Sequence, residues 1–174
     1  MTPIIWRKAN PADAGALAHL GVATFLATFA FDHPGKGLID HLNREHSAEY
    51  YAAKLADADI DIVIGETPLG APVAYLMLCP PEHPGIQQDG DIELKRIYLL
   101  NGWQGGGNGW AMMQQASEIA AARGAKRILL AVYESNPNAI AFYQRAGFAK
   151  IGETVFMVGD AAFVDFLYAK RLER

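Results

Sequence analysis

A run of glycines sits at the centre of this chain. Gln104-Gly105-Gly106-Gly107-Asn108-Gly109 follows a strand-like stretch, residues 92–100, and precedes a segment from Trp110 in which Met112, Met113, Ala116, Ile119 and Ala120 recur at helical spacing. Strand, glycine loop and helix in that order can hold phosphate. Glycine lets the backbone approach a ligand with no Cβ in between, and the first amides of a helix are unpaired donors beside the positive end of its dipole. Gly124 predicts the end of the helix.

Two common phosphate loops do not fit. A Walker loop ends in Gly-Lys-Ser/Thr, but Gly35-Lys36 is followed by Gly37. The dinucleotide fingerprint needs a sixth-place glycine, and counting from Gly105 that place is Trp110. What remains is Gln-x-x-Gly-x-Gly on Gln104, Gly107 and Gly109. A surface loop or an Asn101-Gly102 hairpin turn has similar composition, so the loop alone leaves its ligand open. Downstream, residues 128–133 read as a buried strand, followed by Asn136-Pro137-Asn138-Ala139 and then Phe142-Tyr143 and Gly147-Phe148.

Together these segments resemble the GCN5-related N-acetyltransferase family. The loop matches that family's acetyl-CoA pyrophosphate loop, and Asn136, Ala139, Tyr143 and Gly147-Phe148 match its second motif. The resemblance implies an α/β (α+β) fold in a single domain over residues 1–174, with a mixed, mostly antiparallel sheet of about seven strands and about four flanking helices. It implies acetyl-CoA as co-substrate and no metal. It puts Gln104, Gly105, Gly106, Gly107, Asn108 and Gly109 on the pyrophosphate and Ile97 and Leu99 alongside the pantetheine arm, with Asn136 or Asn138 on the arm's amides. The amide of Tyr98 or Leu99 would meet the developing oxyanion, and Tyr143 would be the general acid.

A finer likeness, carried by residues 24–29, 93–98 and 156–160 with Asp165, is to the bacterial spermidine/spermine acetyltransferase branch. Residues 32–46 depart from it, with Gly and His where that branch is acidic and rich in Asn. The implied acceptor is a primary amine, foremost a small cationic one such as a polyamine. A protein N-terminus or another amino-bearing small molecule stays open as acceptor, as does a non-catalytic acyl-CoA sensor.

The residue types suit acetyl transfer. An amine is mostly protonated at neutral pH and must lose a proton before it attacks, and Glu93 is the candidate base, at the place where the histone-acetylating branch carries one. Asp89, Asp91, Glu93 and Lys95 also alternate along the strand, so an ion-paired, solvated edge is the competing reading. A departing thiolate needs a proton, and the Tyr143 phenol, with an ordinary pKa of about 10, carries one. Otherwise Phe142 and Tyr143 are core aromatics. Asp57, Asp59 and Asp61 together with Asp89, Asp91 and Glu93 suggest an acidic rim that attracts a polyamine.

A net charge of −4 gives no electrostatic reason to bind nucleic acid. The lone Cys79, within an apolar run, reads as a packed strand residue and fits a reducing compartment. Residues 14–31 lack formal charge, yet His19, Thr24, Thr28 and two glycines dilute them, so a core helix is expected rather than a membrane span. With no secretory leader apparent, the expected location is cytoplasmic. His41 and His46, five apart, do not share a helix face and predict no metal site. A homodimer is left open. The remaining pattern predicts strands near 4–8, 59–65 (half-buried), 73–79, 149–158 and 163–169. Helices are expected near 14–31 and 47–56, with a short helical turn at 38–43 after a break at 32–37.

Overall fold

The computed structural model describes residues 3–83 and 85–172. Strand β1 (Ile5–Lys8) leads through a short 3-10 turn (Pro11–Asp13) into helices α1 (Ala14–Phe29), α2 (Gly35–Glu45) and α3 (Ala48–Ala56). Strands β2 (Asp61–Glu66), β3 (Pro72–Cys79) and β4 (Asp91–Leu99) follow, then α4 (Asn108–Ala122), β5 (Arg127–Tyr133), α5 (Pro137–Arg145), β6 (Ala149–Val158) and β7 (Ala161–Arg171). The strands form one sheet in the order β1-β2-β3-β4-β5-β7-β6, antiparallel throughout except between β4 and β5. The expected mixed, mostly antiparallel α/β sheet is therefore present, with five α-helices where about four were anticipated.

Local chemistry starts the helices. Asn10 caps the first turn by accepting from the Ala12 amide, and Asp13 returns a bond from the Asn10 amide. Ser47 caps α3 through Tyr50, and Asn136 caps α5 through Ala139, with Pro137 at the first helical position. The 3-10 turn and α1 together, Pro11–Phe29, are long and apolar enough to cross a membrane, with a mean hydropathy of 1.3. Here it packs on the sheet, burying Leu17 and Leu20 against Tyr51, Ile64, Tyr75 and Met77. The opposite face is covered by α4 and α5 through Met112, Met113, Ala116, Ala120 and Tyr143.

Two expectations change. Strand β2, read as half-buried, is buried on both faces from Asp61 to Gly65 because helices cover both sides of the sheet there. The break after α1 is confined to residues 30–34, and α2 is a full eleven-residue helix that includes Gly35 and Gly37. Close packing explains Gly37: a Cβ there would lie 2.8 Å from the Val158 carbonyl oxygen, so only glycine lets α2 rest on the β6–β7 turn. Leu38 and Leu42 then bury against Phe25 and Val158, which offsets the low helix propensity of glycine.

Candidate active site

Strand β4 shapes the site by departing from regularity. Met77 faces Arg96 and Leu78 faces Leu94, so Lys95 is an extra residue, a β-bulge. The bulge resets the alternation. Ile92 and Leu94, and beyond it Ile97 and Leu99, all pack on the α4–α5 side, while Arg96 and Tyr98 turn to the α1–α3 side. Strands β4 and β5 pair only at Asp91–Arg127, Ile92–Ile128 and Glu93–Leu129. Past that point β5 continues on β7, and β4 presents an edge with no strand beside it. The Leu100 amide bonds the Val73 carbonyl, so by alternation Tyr98 also points its backbone groups at β3. Ile97 and Leu99 turn theirs into the gap. Of the two candidate oxyanion amides, Leu99 is thus the one that faces the cleft.

The glycine loop closes the end of β4. Gly102, Gly105, Gly106 and Gly107 all have positive φ, a conformation strained for other residues. Gly107, at φ 87°, is the N-cap of α4, and no side chain caps that helix. The amides of Gly109 and Trp110 have no backbone partner among the described residues, and Gln104 and the glycines before Asn108 are exposed. Asn108 anchors the loop by donating its side-chain amide to the Trp103 carbonyl at 2.8 Å. Gly109 serves packing: a Cβ there would sit 3.3 Å from the Phe142 ring. An uncapped helix start with open amides is the chemistry a pyrophosphate requires.

Helix α5 brings Tyr143 into the core under the cleft, its ring 5.5 Å from Phe142 and 6.0 Å from Phe148. Burial, with the nearby Tyr98 phenol, raises its pKa well above the ordinary range, so it stays protonated. Asn136 spends its side-chain oxygen on the α5 cap, and Asn138 is exposed in the first turn of the same helix. Glu93 lies at the closed end of the gap and is 4% exposed, which is not the solvated edge that its alternation allowed. It accepts from the Glu82 amide at 2.9 Å, and His83 Nε2 stands 3.3 Å away without hydrogen-bond alignment.

A profile of the acetyltransferase (GNAT) family matches residues 20–148. The chain belongs to that family. An uncharacterized N-acetyltransferase of Mycobacterium tuberculosis is 34% identical over 103 residues, 59% of this chain and 62% of the relative. The spermine/spermidine N(1)-acetyltransferase of Bacillus subtilis is 35% identical over 77 residues, 44% of this chain and 51% of the relative. The chain therefore matches less than two thirds of either relative's length. A crystal structure of the PaiA N-acetyltransferase from Thermoplasma acidophilum in complex with coenzyme A superposes with a TM-score of 0.79, at 18% identity, over 97% of this chain and 99% of that one.

Several features of this GNAT chain differ from what its sequence led us to expect. Most of the suggested acidic rim is neutralised. Asp61 bonds Arg123 at 2.7 Å and Lys8 at 3.1 Å, Asp91 forms a two-point pair with Arg127, and Asp89 meets Lys126 at 3.0 Å. These acids also begin β2 and β4, at the sheet end opposite the glycine loop. Two surface cavities of about 230 and 490 Å³ flank Arg123 at that end and do not reach residues 94–99 or 130–136. His41 and His46 do come together, ring centroids 5.7 Å apart, because His46 lies just past the end of α2 and escapes helical spacing. Among the described residues no group of three metal-ligating side chains accompanies them. Cys79 is packed as expected, and burial, then Glu93, pushes its thiol up to about 12, which leaves it inert as a nucleophile.

Sequence reasoning missed Arg96 altogether. Its buried guanidinium donates to His46 Nε2 at 2.6 Å, to the Glu45 carbonyl and to the Tyr50 hydroxyl, and lies over the Tyr50 ring. His46 in turn meets Tyr51, which bonds Tyr75 at 2.8 Å. This network fastens the α2–α3 corner to β4 just beyond the bulge. Burial and Arg96 drive the His46 pKa down to about 2, so its ring is neutral. The signal that could have revealed it is the Lys95-Arg96 pair, two adjacent charges that break the strand's alternation of charged and apolar residues.

Proposed function

We propose that this protein is an acetyl-CoA-dependent N-acetyltransferase acting on a small cationic primary amine, polyamines included. One observation carries the reading: the free backbone edge of β4 runs into an uncapped, glycine-led helix start, with a buried protonated tyrosine beside the gap. Acetyl-CoA supplies the acetyl group as an activated thioester. Gln104, Gly105, Gly106, Gly107, Asn108 and Gly109 would hold its phosphates, and Ile97 and Leu99 offer strand pairing to an amide-bearing arm. Leu99 offers an N–H to developing negative charge, and Tyr143 holds a proton for the leaving thiolate.

The amine class is supported by the names of the Bacillus relative and of a Vibrio cholerae spermidine N-acetyltransferase chimera of the same fold, at 16% identity and a TM-score of 0.71. We further propose that the 174 residues act as one domain in a reducing, cytoplasmic setting, to which the buried thiol of Cys79 is suited. The test is a panel of amines incubated with the protein and acetyl-CoA while free thiol is followed. Polyamines and other small amines should release CoA faster than N-terminal peptides. Retained CoA binding with no thiol release from any amine would instead make the protein an acyl-CoA sensor.

A further inference from the structure

Strand β7 carries one acid among apolar neighbours, Phe163-Val164-Asp165-Phe166-Leu167. Phe166 and Tyr168 pack on the α4–α5 side, so Phe163, Asp165 and Leu167 occupy the other face. There Asp165 stands beside Tyr133 of β5 and Thr154 of β6. Just beyond it, the Phe163 ring stacks on His33 at 3.8 Å, and the Tyr133 hydroxyl donates to Asp32 at 2.7 Å. The connection from α1 to α2 therefore closes the outer side of the gap, and Asp165 lies just inside that closure. On its inner side the electrostatic neighbour is Tyr98, across the separated strands, and Tyr98 is equally a neighbour of Tyr143.

The partnering of Asp165 sets it apart. Asp13, Asp61 and Asp91 each meet an arginine at 2.7 Å, whereas Asp165 is half-buried and has no such partner. Among the described residues neither a cation nor a hydrogen-bond donor meets the Asp165 carboxylate. The groups around it are Glu134, Tyr98, Tyr133, and Asp32 with the His33 that Asp32 already engages at 2.6 Å. Burial, then Glu134, raises its carboxyl to about 6. A half-buried carboxylate with no cation of its own is costly to keep charged, and a cationic ligand would reduce that cost. Phe29, Tyr133 and Phe163 line the same region with aromatic faces, which also favour a cation.

We infer that Asp165 receives the acceptor: its carboxylate holds the substrate ammonium beside Tyr98 and takes the proton that the amine must lose. The inference rests on the N-acetyltransferase reading. An N–H bond of the ammonium breaks and an O–H bond forms on Asp165. The freed nitrogen pair bonds the thioester carbonyl carbon, the C–S bond breaks, and the sulfur takes the Tyr143 proton. As the amide forms the nitrogen gives up its second proton through water to the Tyr143 oxygen, and the Asp165 proton leaves to solvent, so both groups are restored and one proton is released for each amide and CoA thiol made. Glu93 is less suited to this role. It faces Leu129 while Asp165 faces Tyr133, four ladder steps or about 13 Å further along, and it already binds the Glu82 amide.

The test compares Asp165→Asn, Asp165→Glu and Glu93→Gln with wild type on the best amine of the panel. Asp165→Asn should lower kcat/KM about a hundredfold, raise KM for the amine, and abolish the acidic limb of the pH–rate profile near pH 6. Acetyl-CoA affinity by calorimetry should stay within about twofold. Asp165→Glu should recover part of the rate, and Glu93→Gln should keep the acidic limb. Wild type that acetylates while Asp165→Asn keeps its rate and pH profile overturns this inference and leaves the acetyltransferase reading intact. Wild type that acetylates no amine overturns that reading, and the inference with it.

Discussion

Replacing Asp165 by Asn should make the protein more stable while making it less active. The fold raises the Asp165 carboxyl from an ordinary 3.8 to about 6, so it favours the protonated form. For an acid with a raised folded-state pKa, the favourable contribution is intact below about pH 3.8 and is lost as pH rises through about 6. At about 1.4 kcal/mol per tenfold change, the full difference would be roughly 3 kcal/mol at pH 7.5. The side chain keeps some contact with water, which reduces this to about 1–2 kcal/mol, or roughly 3–6 °C in melting temperature for a chain of this size. Urea denaturation followed by tryptophan fluorescence, for wild type and variant at pH 4 and pH 7.5, measures it. The stability difference should shift toward the variant by that amount between the two pH values. Comparing the two pH values removes the fixed cost of an amide in place of a carboxyl. A difference that does not change with pH would refute the reasoning, because it would mean that the folded carboxylate is as well solvated as the unfolded one.

Three further substitutions test other parts of the site. Gly107→Val forces a β-branched residue to φ 87°, and calorimetry should show acetyl-CoA affinity reduced at least tenfold, on the order of 1.4 kcal/mol, with unchanged circular dichroism. Tyr143→Phe removes a hydroxyl with no hydrogen-bond partner among the described residues, so melting should shift by no more than a few degrees while kcat falls about a hundredfold in the thiol-release assay. Gly21→Ala inserts a better helix former, yet its Cβ would lie 2.2 Å from His46 Nδ1. Denaturation should show a loss of about 1–3 kcal/mol, where a solvent-exposed site would gain.

What the sequence disclosed was local. The glycine loop, the α4 stripe and the Asn136-Pro137 start of α5 can each be read within a few residues, and each stands where expected. What it concealed depends on partners distant in the chain. The Lys95 bulge exists only against β3, so the strand could not show that Glu93 and Arg96 would share a face. The carboxylates of Asp61 and Asp91 looked available because Arg123 and Arg127 lie far along the chain. Gly35 and Gly37 looked like breakers because the β6–β7 turn that requires Gly37 comes much later. Asp165 was legible only as part of a resemblance, and its lack of a cation is a property of three strands and one helix connection together.

The sheet order has a consequence for how the protein is made. Strand β7, last of the seven in chain order, lies inside the sheet between β5 and β6. While synthesis runs from the N-terminus, β5 and its row of Ile128, Leu130 and Val132 must wait with an open backbone edge until β7 has emerged. The end of the sheet that carries the glycine loop can assemble on the nascent chain, but the wall bearing Asp165 cannot. On the proposed reading, a partly synthesised chain would acquire its cofactor loop before its acceptor wall, and it would carry a sticky strand edge in the meantime. A chaperone that covers extended apolar strands would act during that interval.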